Sequence, residues 1–240
     1  MSLSPVSLVG WIFIAFVGVV VPWAVLRNRD GALAMASIPL QDRFVAMLIP
    51  QLFLGALAVG TGYVEEVGLF PPRWPSLTSW GAGVAFMVVA LLLIRPYWRR
   101  SVEQHKPAWR LFAPTNDREG RMWIALSLAA GVAEELVWRG VLPALLLLLT
   151  GSLIASIVLS VVSFALAHAI QGARSVLAIG TIAAAFHALV WLSGSLYVAM
   201  TVHFIYDVIA GFTYAKFARD LGLLRPEGWA APAPAADALP

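Results

Sequence analysis

Seven apolar stretches, at 6–26, 44–62, 78–94, 122–149, 151–170, 175–192 and 195–217, run through the chain and dominate what it can fold into. Crossing a hydrocarbon core about 30 Å thick takes an α-helix of roughly 20 apolar residues, and backbone polar groups in lipid must be satisfied within the segment. The 240 residues are 60% hydrophobic and only 12% charged, well outside the range of a soluble domain. The expected fold is all-α, a polytopic transmembrane bundle of about seven spans. The first stretch lacks a basic segment before it and a small-residue cleavage site after it, so it reads as a span and not as a removable signal. The fourth is too long for one perpendicular crossing, since about 28 residues at ~1.5 Å each extend roughly 42 Å. It must tilt, protrude, or break near Gly140 and Pro143, and a hairpin there raises the count to eight. "NDRE" at 116–119 has the spacing of a capping box, which starts that helix before the bilayer.

The basic residues sort by loop. Arg27, Arg29 and Arg43 follow the first span, Arg95 to Arg121 follow the third, Arg174 follows the fifth, and Lys216, Arg219 and Arg225 follow the seventh. Only Arg73 falls in an opposite loop and only Arg139 within a span. The positive-inside rule then places the N-terminus outside and the C-terminus in the cytoplasm. The net charge of +3 is accounted for by these loops, so no nucleic-acid partner is expected. "RPYWRRSVEQHKPAWRLF" interleaves bases with Tyr97, Trp98 and Trp109, as suits a segment lying on anionic headgroups. Three segments are expected: 1–121 with N-terminal spans and a basic cytoplasmic loop, 122–217 as a helical core, and 218–240 as a Pro/Ala-rich cytoplasmic tail without fixed structure.

Ionisable residues inside spans cost about 2.5–3.5 kcal/mol each near the bilayer centre, which makes them functional candidates. Here they are Glu134, Glu135, Arg139, His168, His187, His203 and Asp207. Glu135 and Arg139 are spaced i,i+4 with the acid on the N-terminal side, the favourable order for an ion pair. Glu134 points about 100° away and stays uncommitted. His203 and Asp207 share a helical face, as do Phe164 and His168. His187 has no acidic residue one turn away, so an interhelical packing role suits it better. With no cysteine in the chain, thiolate chemistry is excluded.

In order along the chain, "EELVWR" (134–139), "FALAH" (164–168) and "HFIYD" (203–207) have the forms E-E-x-x-x-R, F-x-x-x-H and H-x-x-x-Asn/Asp. This set resembles the CAAX-prenyl-protease and bacteriocin-processing family, the intramembrane glutamic endopeptidases, over about 122–211. Two positions depart from the commoner pattern: Trp138 stands where Phe is frequent, and Asp207 replaces the Asn of eukaryotic prenyl-protein proteases, as in many prokaryotic relatives. The resemblance implies an endopeptidase in a prokaryotic cell membrane acting on a membrane-embedded or membrane-associated peptide or protein. It implies that Glu134 and His168 activate water, that His203 and Asp207 face the oxyanion, and that Glu135, Arg139 and Phe164 support them. An ionised Asp207 cannot donate a hydrogen bond, so it is expected to orient His203 as the donor. No cofactor is expected. A zinc-dependent membrane protease is the weaker alternative, because the H-E-x-x-H pair is missing. A proton- or ion-coupled transporter is another, because buried acid and His chains also mark ion pathways. A non-catalytic immunity or scaffold protein is a third.

Reporter fusions after Arg29, Arg110 and Arg225 are expected to register cytoplasm, and one near Arg73 the exterior. An external signal at Arg110 overturns this topology.

Overall fold

A computed structural model describes residues 6–28, 38–70 and 74–224, all helical or connecting, with no strand among them. Arg29, Arg73 and Arg225, used above to orient the chain, lie outside the described residues, as does the tail beyond Leu224. The first rod consists of α1 (Leu8–Ala15), a π-helical segment (Phe16–Val20) and α2 (Val21–Arg27). Next come α3 (Leu40–Val64) and α4 (Leu77–Glu103). The fourth rod is α5 (Asp117–Glu135), a second π-helical segment (Leu136–Val141) and α6 (Leu142–Thr150). Finally come α7 (Leu153–Ala167), α8 (Ala173–Ser193) and α9 (Leu196–Asp220).

The first rod, α3, α4, α8 and α9 are each long and apolar enough to cross a membrane. Large apolar side chains such as Leu93, Ile154, Leu177 and Trp191 point outward, as lipid-facing residues do. The chain is an integral membrane protein. The fourth rod is continuous: the break considered near Gly140 and Pro143 does not occur. A proline inside a helix lacks an N–H and crowds the carbonyl one turn back, and here the wider π turn ahead of Pro143 absorbs both effects. Pro22 follows the first π segment in the same way. In that register the missing N–H of Pro22 leaves the Val17 carbonyl free, and Ser163 Oγ donates to it at 2.9 Å.

Serine and glycine punctuate the bundle. Gly151 and Gly194 end α6 and α8 in the left-handed conformation, both at φ 63°. Ser152 and Ser195 immediately cap the next helices by accepting from Ala155 N and Tyr197 N. These tight turns make α6/α7 and α8/α9 antiparallel neighbours. At the start of α5, Asn116 accepts from Glu119 N at 3.0 Å, as the spacing predicts. The Glu119 carboxylate reaches one residue further back than the standard box, to Thr115 N and Oγ1 at 2.7 and 2.6 Å.

α5 is the central helix, packed along α3 on one side and α9 on the other. In lipid no hydrophobic force drives helices together, so small residues that let backbones approach carry the association. Gly131 is the tightest case: a Cβ there meets Phe204 N at 2.8 Å and Met200 O at 3.1 Å. Gly211 on α9 lies under the Trp123 indole of α5.

The helix ends that carry the bases meet on one side. Arg43 Nη1 donates to Arg110 O at 3.0 Å, Tyr97 pairs with Ser175 Oγ at 2.8 Å, and the Trp98 ring lies 5.6 Å from that of Tyr214. One expectation for this side is corrected. Trp98 and Trp109 are buried against α9 and the Leu224 cluster, so they serve the protein core and not a headgroup layer. α9 also continues past 217, and Leu223 and Leu224 fold back to donate to Ala218 O at 2.8 and 3.3 Å.

Gly131→Ala is expected to lower stability by about 1–3 kcal/mol, because the obstructing atoms are backbone and α5 must separate from α9. Thermal unfolding in detergent, followed by a fluorescent probe, measures it. An unchanged midpoint contradicts the close approach.

Candidate active site

Glu134 and Glu135 end α5, and the π segment that follows carries Arg139 back beneath them. Glu135 has no exposed surface, and its Oε1 is shared by Arg139 Nη1 at 3.1 Å and His203 Nδ1 at 2.7 Å. The i,i+4 pairing read from the sequence is therefore present, and the same oxygen also grips α9. The Arg139 guanidinium lies between two rings, 4.3 Å from the centroid of Phe164 and 5.2 Å from that of Phe186. Cation–π contact and the carboxylate together offset the cost of burying its charge.

α7 explains where His168 sits. Its 15 residues rise only about 22 Å, so its end stops short of the far boundary of a roughly 30 Å core. His168 follows immediately, half-buried, before the 3-10 turn Ala169–Gln171. His168 Nδ1 lies 2.8 Å from Phe164 O. A carbonyl only accepts, so Nδ1 bears a proton, and in the neutral ring Nε2 is the acceptor that faces Glu134. The Phe164 ring lies 4.4 Å from the imidazole, tilted by 44°, and Trp138 is edge-on to Phe164 at 5.3 Å. Trp138 in turn donates to Ser163 Oγ at 3.0 Å.

The free carboxylate is Glu134. Its Oε2 is 3.8 Å from His168 Nε2 and 3.8 Å from His203 Nε2, too far for direct hydrogen bonds and close enough for a water to bridge the carboxylate to either ring. Asp207 Oδ2 is 3.6 Å from His203 Nε2. The expectation that Asp207 orients His203 needs correction, because the hydrogen bond that fixes this ring comes from Glu135 on the other nitrogen. Glu134, His168, His203, Asp207, Arg139 and Phe164 all line one cavity of about 290 Å³ that extends towards Tyr97, Trp98 and Tyr214 on the basic side. His187 is buried in α8 and does not line it. Among the described residues no group of three or more His, Asp or Glu is arranged to hold a metal ion.

Residues 119–209 match the family model described as type II CAAX prenyl endopeptidase, Rce1-like. Over that stretch the chain is similar to the CAAX-protease family. Among curated proteins and among solved structures, nothing matches the chain. The CAAX-protease segment holds every candidate residue named from the sequence, while the first rod, α3 and α4 lie outside it.

Three further site residues escaped the sequence reading. Gln51 of α3 donates from Nε2 to Glu134 Oε1 at 2.7 Å, Trp123 donates to Asp207 O at 3.0 Å, and Phe186 covers both Arg139 and His203. Gln51 had a signal, being an amide side chain in the apolar run 44–62. Trp123 and Phe186 had none, since aromatic residues in spans are ordinary packing.

Glu135→Gln is expected to cost about 3–5 kcal/mol or abolish accumulation, because it leaves Arg139 buried beside a neutral amide. Glu134→Gln is expected to leave the unfolding midpoint within a degree or two of wild type. Equal midpoints for the two variants contradict this division of roles.

Proposed function

We propose that the chain is an intramembrane endopeptidase that hydrolyses a peptide bond of a membrane-associated protein or peptide, with water activated by Glu134 and His168. The observation that carries this is the placement of Glu134 Oε2 at 3.8 Å from two imidazole Nε2 atoms at the inner end of a cavity. Two acceptors, Glu134 Oε2 and His168 Nε2, can each take one hydrogen of a single water, which leaves its lone pairs free to attack. Attack on the peptide carbonyl passes a proton to this pair and puts negative charge on the carbonyl oxygen. The proton then moves to the departing amine as the C–N bond breaks, giving a carboxylic acid and an amine. His203 stands opposite, and it can donate from Nε2 when the ring carries both protons. Asp207 faces that same nitrogen at 3.6 Å.

Orientation follows the bases: the cavity extends towards the side where Arg43, Arg110 and the ends of α4 and α9 gather, which is cytoplasmic by the positive-inside rule. A substrate on the inner leaflet of a prokaryotic cell membrane fits that placement. Whether it is prenylated is an outcome of experiment.

Membrane fractions from cells expressing wild type or Glu134→Gln are expected to differ in at least one peptide that persists only with the variant. With that peptide in proteoliposomes, Glu134→Gln should lower kcat by at least about 100-fold, the scale of a lost general base. Activity should survive dialysis against strong chelators, and Asp207→Asn should keep appreciable activity. Loss on chelation with recovery on adding Zn²⁺, together with an inactive Asp207→Asn protein, replaces this reading with the metal one.

A further inference from the structure

Gln51 lies on α3, outside the CAAX-protease segment, yet its side chain touches the proposed base. Its Nε2 is 2.7 Å from Glu134 Oε1, and Gln51 lines the same cavity. An ionised carboxylate only accepts hydrogen bonds, so the amide must present its NH₂ group there. Its other end is informative too. Gln51 Oε1 is buried without a hydrogen-bond partner among the described residues. An amide kept for packing or for joining helices more often has both ends satisfied, since an unpaired buried acceptor costs about 1–3 kcal/mol. Here the side chain accepts that cost with a single polar contact, and the contact is Glu134.

We propose that Gln51 is a positioning residue for Glu134: it holds Oε1 so that Oε2 alone faces His168 and His203. A glutamate side chain has three rotatable bonds, and a base free to swing loses its alignment with the water it shares. His168 and His203 are each fixed through Nδ1, by Phe164 O and by Glu135. Glu134 has no comparable bond within the CAAX-protease segment, and α3 supplies it. This explains why α3 packs closely along α5 at this level, where a Cβ on Gly55 meets Ala133 Cβ at 3.3 Å. One turn from Gln51, that small residue lets the two backbones come near enough for an amide to reach across.

The inference rests on the proposed function, and its test separates the two. Gln51→Met keeps length and volume and removes the donor. With the peptide that accumulates in Glu134→Gln membranes as probe, Gln51→Met should lower kcat about tenfold or more and leave KM within about twofold. In a Glu134→Asp background, whose shorter carboxylate no longer meets the amide, the same substitution should change kcat less than twofold. A purely structural residue gives the same factor in both backgrounds. A second readout needs no substrate. Dicyclohexylcarbodiimide attacks carboxyl groups in apolar sites, and with the donor gone Glu134 should be modified at least about threefold faster, as located by mass spectrometry. Faster labelling without any wild-type cleavage retains the Gln51–Glu134 pairing and removes the protease reading. Wild-type cleavage with unchanged kcat or unchanged labelling in Gln51→Met overturns the proposal. Additive effects in the two backgrounds overturn it as well.

Discussion

Glu135 is the side chain on which the site depends. A carboxylate with no exposed surface costs several kcal/mol to desolvate, and only well-placed partners offset that. Its two partners come from different parts of the bundle, Arg139 one turn on in the same rod and His203 on α9. One oxygen therefore fixes the register of α5 against α9 and the direction of the imidazole. Removing the acid releases a buried cation and a catalytic candidate at once. Glu134, the next residue back, escapes this arrangement because it points to the cavity.

The two π segments have a common cause and different uses. Each lies just ahead of a proline, and each lets a long rod continue where an ordinary α-helix would kink. In the fourth rod the widened turn is nearly all buried, with Val137 and Val141 fully enclosed. Arg139 is held there between rings and Trp138 against Ser163. In the first rod, the carbonyl released ahead of Pro22 is taken up by that same Ser163. A hydroxyl on α7 thus joins two local irregularities, and the first rod braces the helix that presents Phe164 and His168.

Much of this was legible in the sequence, for a physical reason. Charged and imidazole side chains are so costly in an apolar span that the few present mark the site without any knowledge of how the helices pack. The i,i+4 spacing of Glu135 and Arg139 is a property of one helix, and it survives even through a π turn. What could not be read is contact between helices. Nothing local to "HFIYD" says that His203 is held by Glu135 and not by Asp207. Trp98 and Trp109 beside a run of bases suit a headgroup layer or a neighbouring helix equally, and α9 decided in favour of the second. Gly140 and Pro143 suggested a break because the rule for proline assumes a strict α pattern on either side. Gln51 carries no charge, so a search for costly ionisable groups passed over it.

A hydrolase inside a membrane has to reconcile opposed demands: apolar walls strengthen electrostatic interactions at the reacting atoms, but the reaction consumes water. The layout of the helices meets both. α7 stops about a turn or two short of a full crossing, so His168 is presented at a helix end within the thickness of the bundle and not along a lipid-facing wall. The cavity extends from there towards the basic side, lined by residues of α3, α4, α5, α8 and α9. Behind the acids, Glu135 and the valines of the π segment fill the interior. Glu134 and Glu135 thus stand at the boundary between a packed core that fixes them and the cavity, and a full-length α7 would remove that boundary.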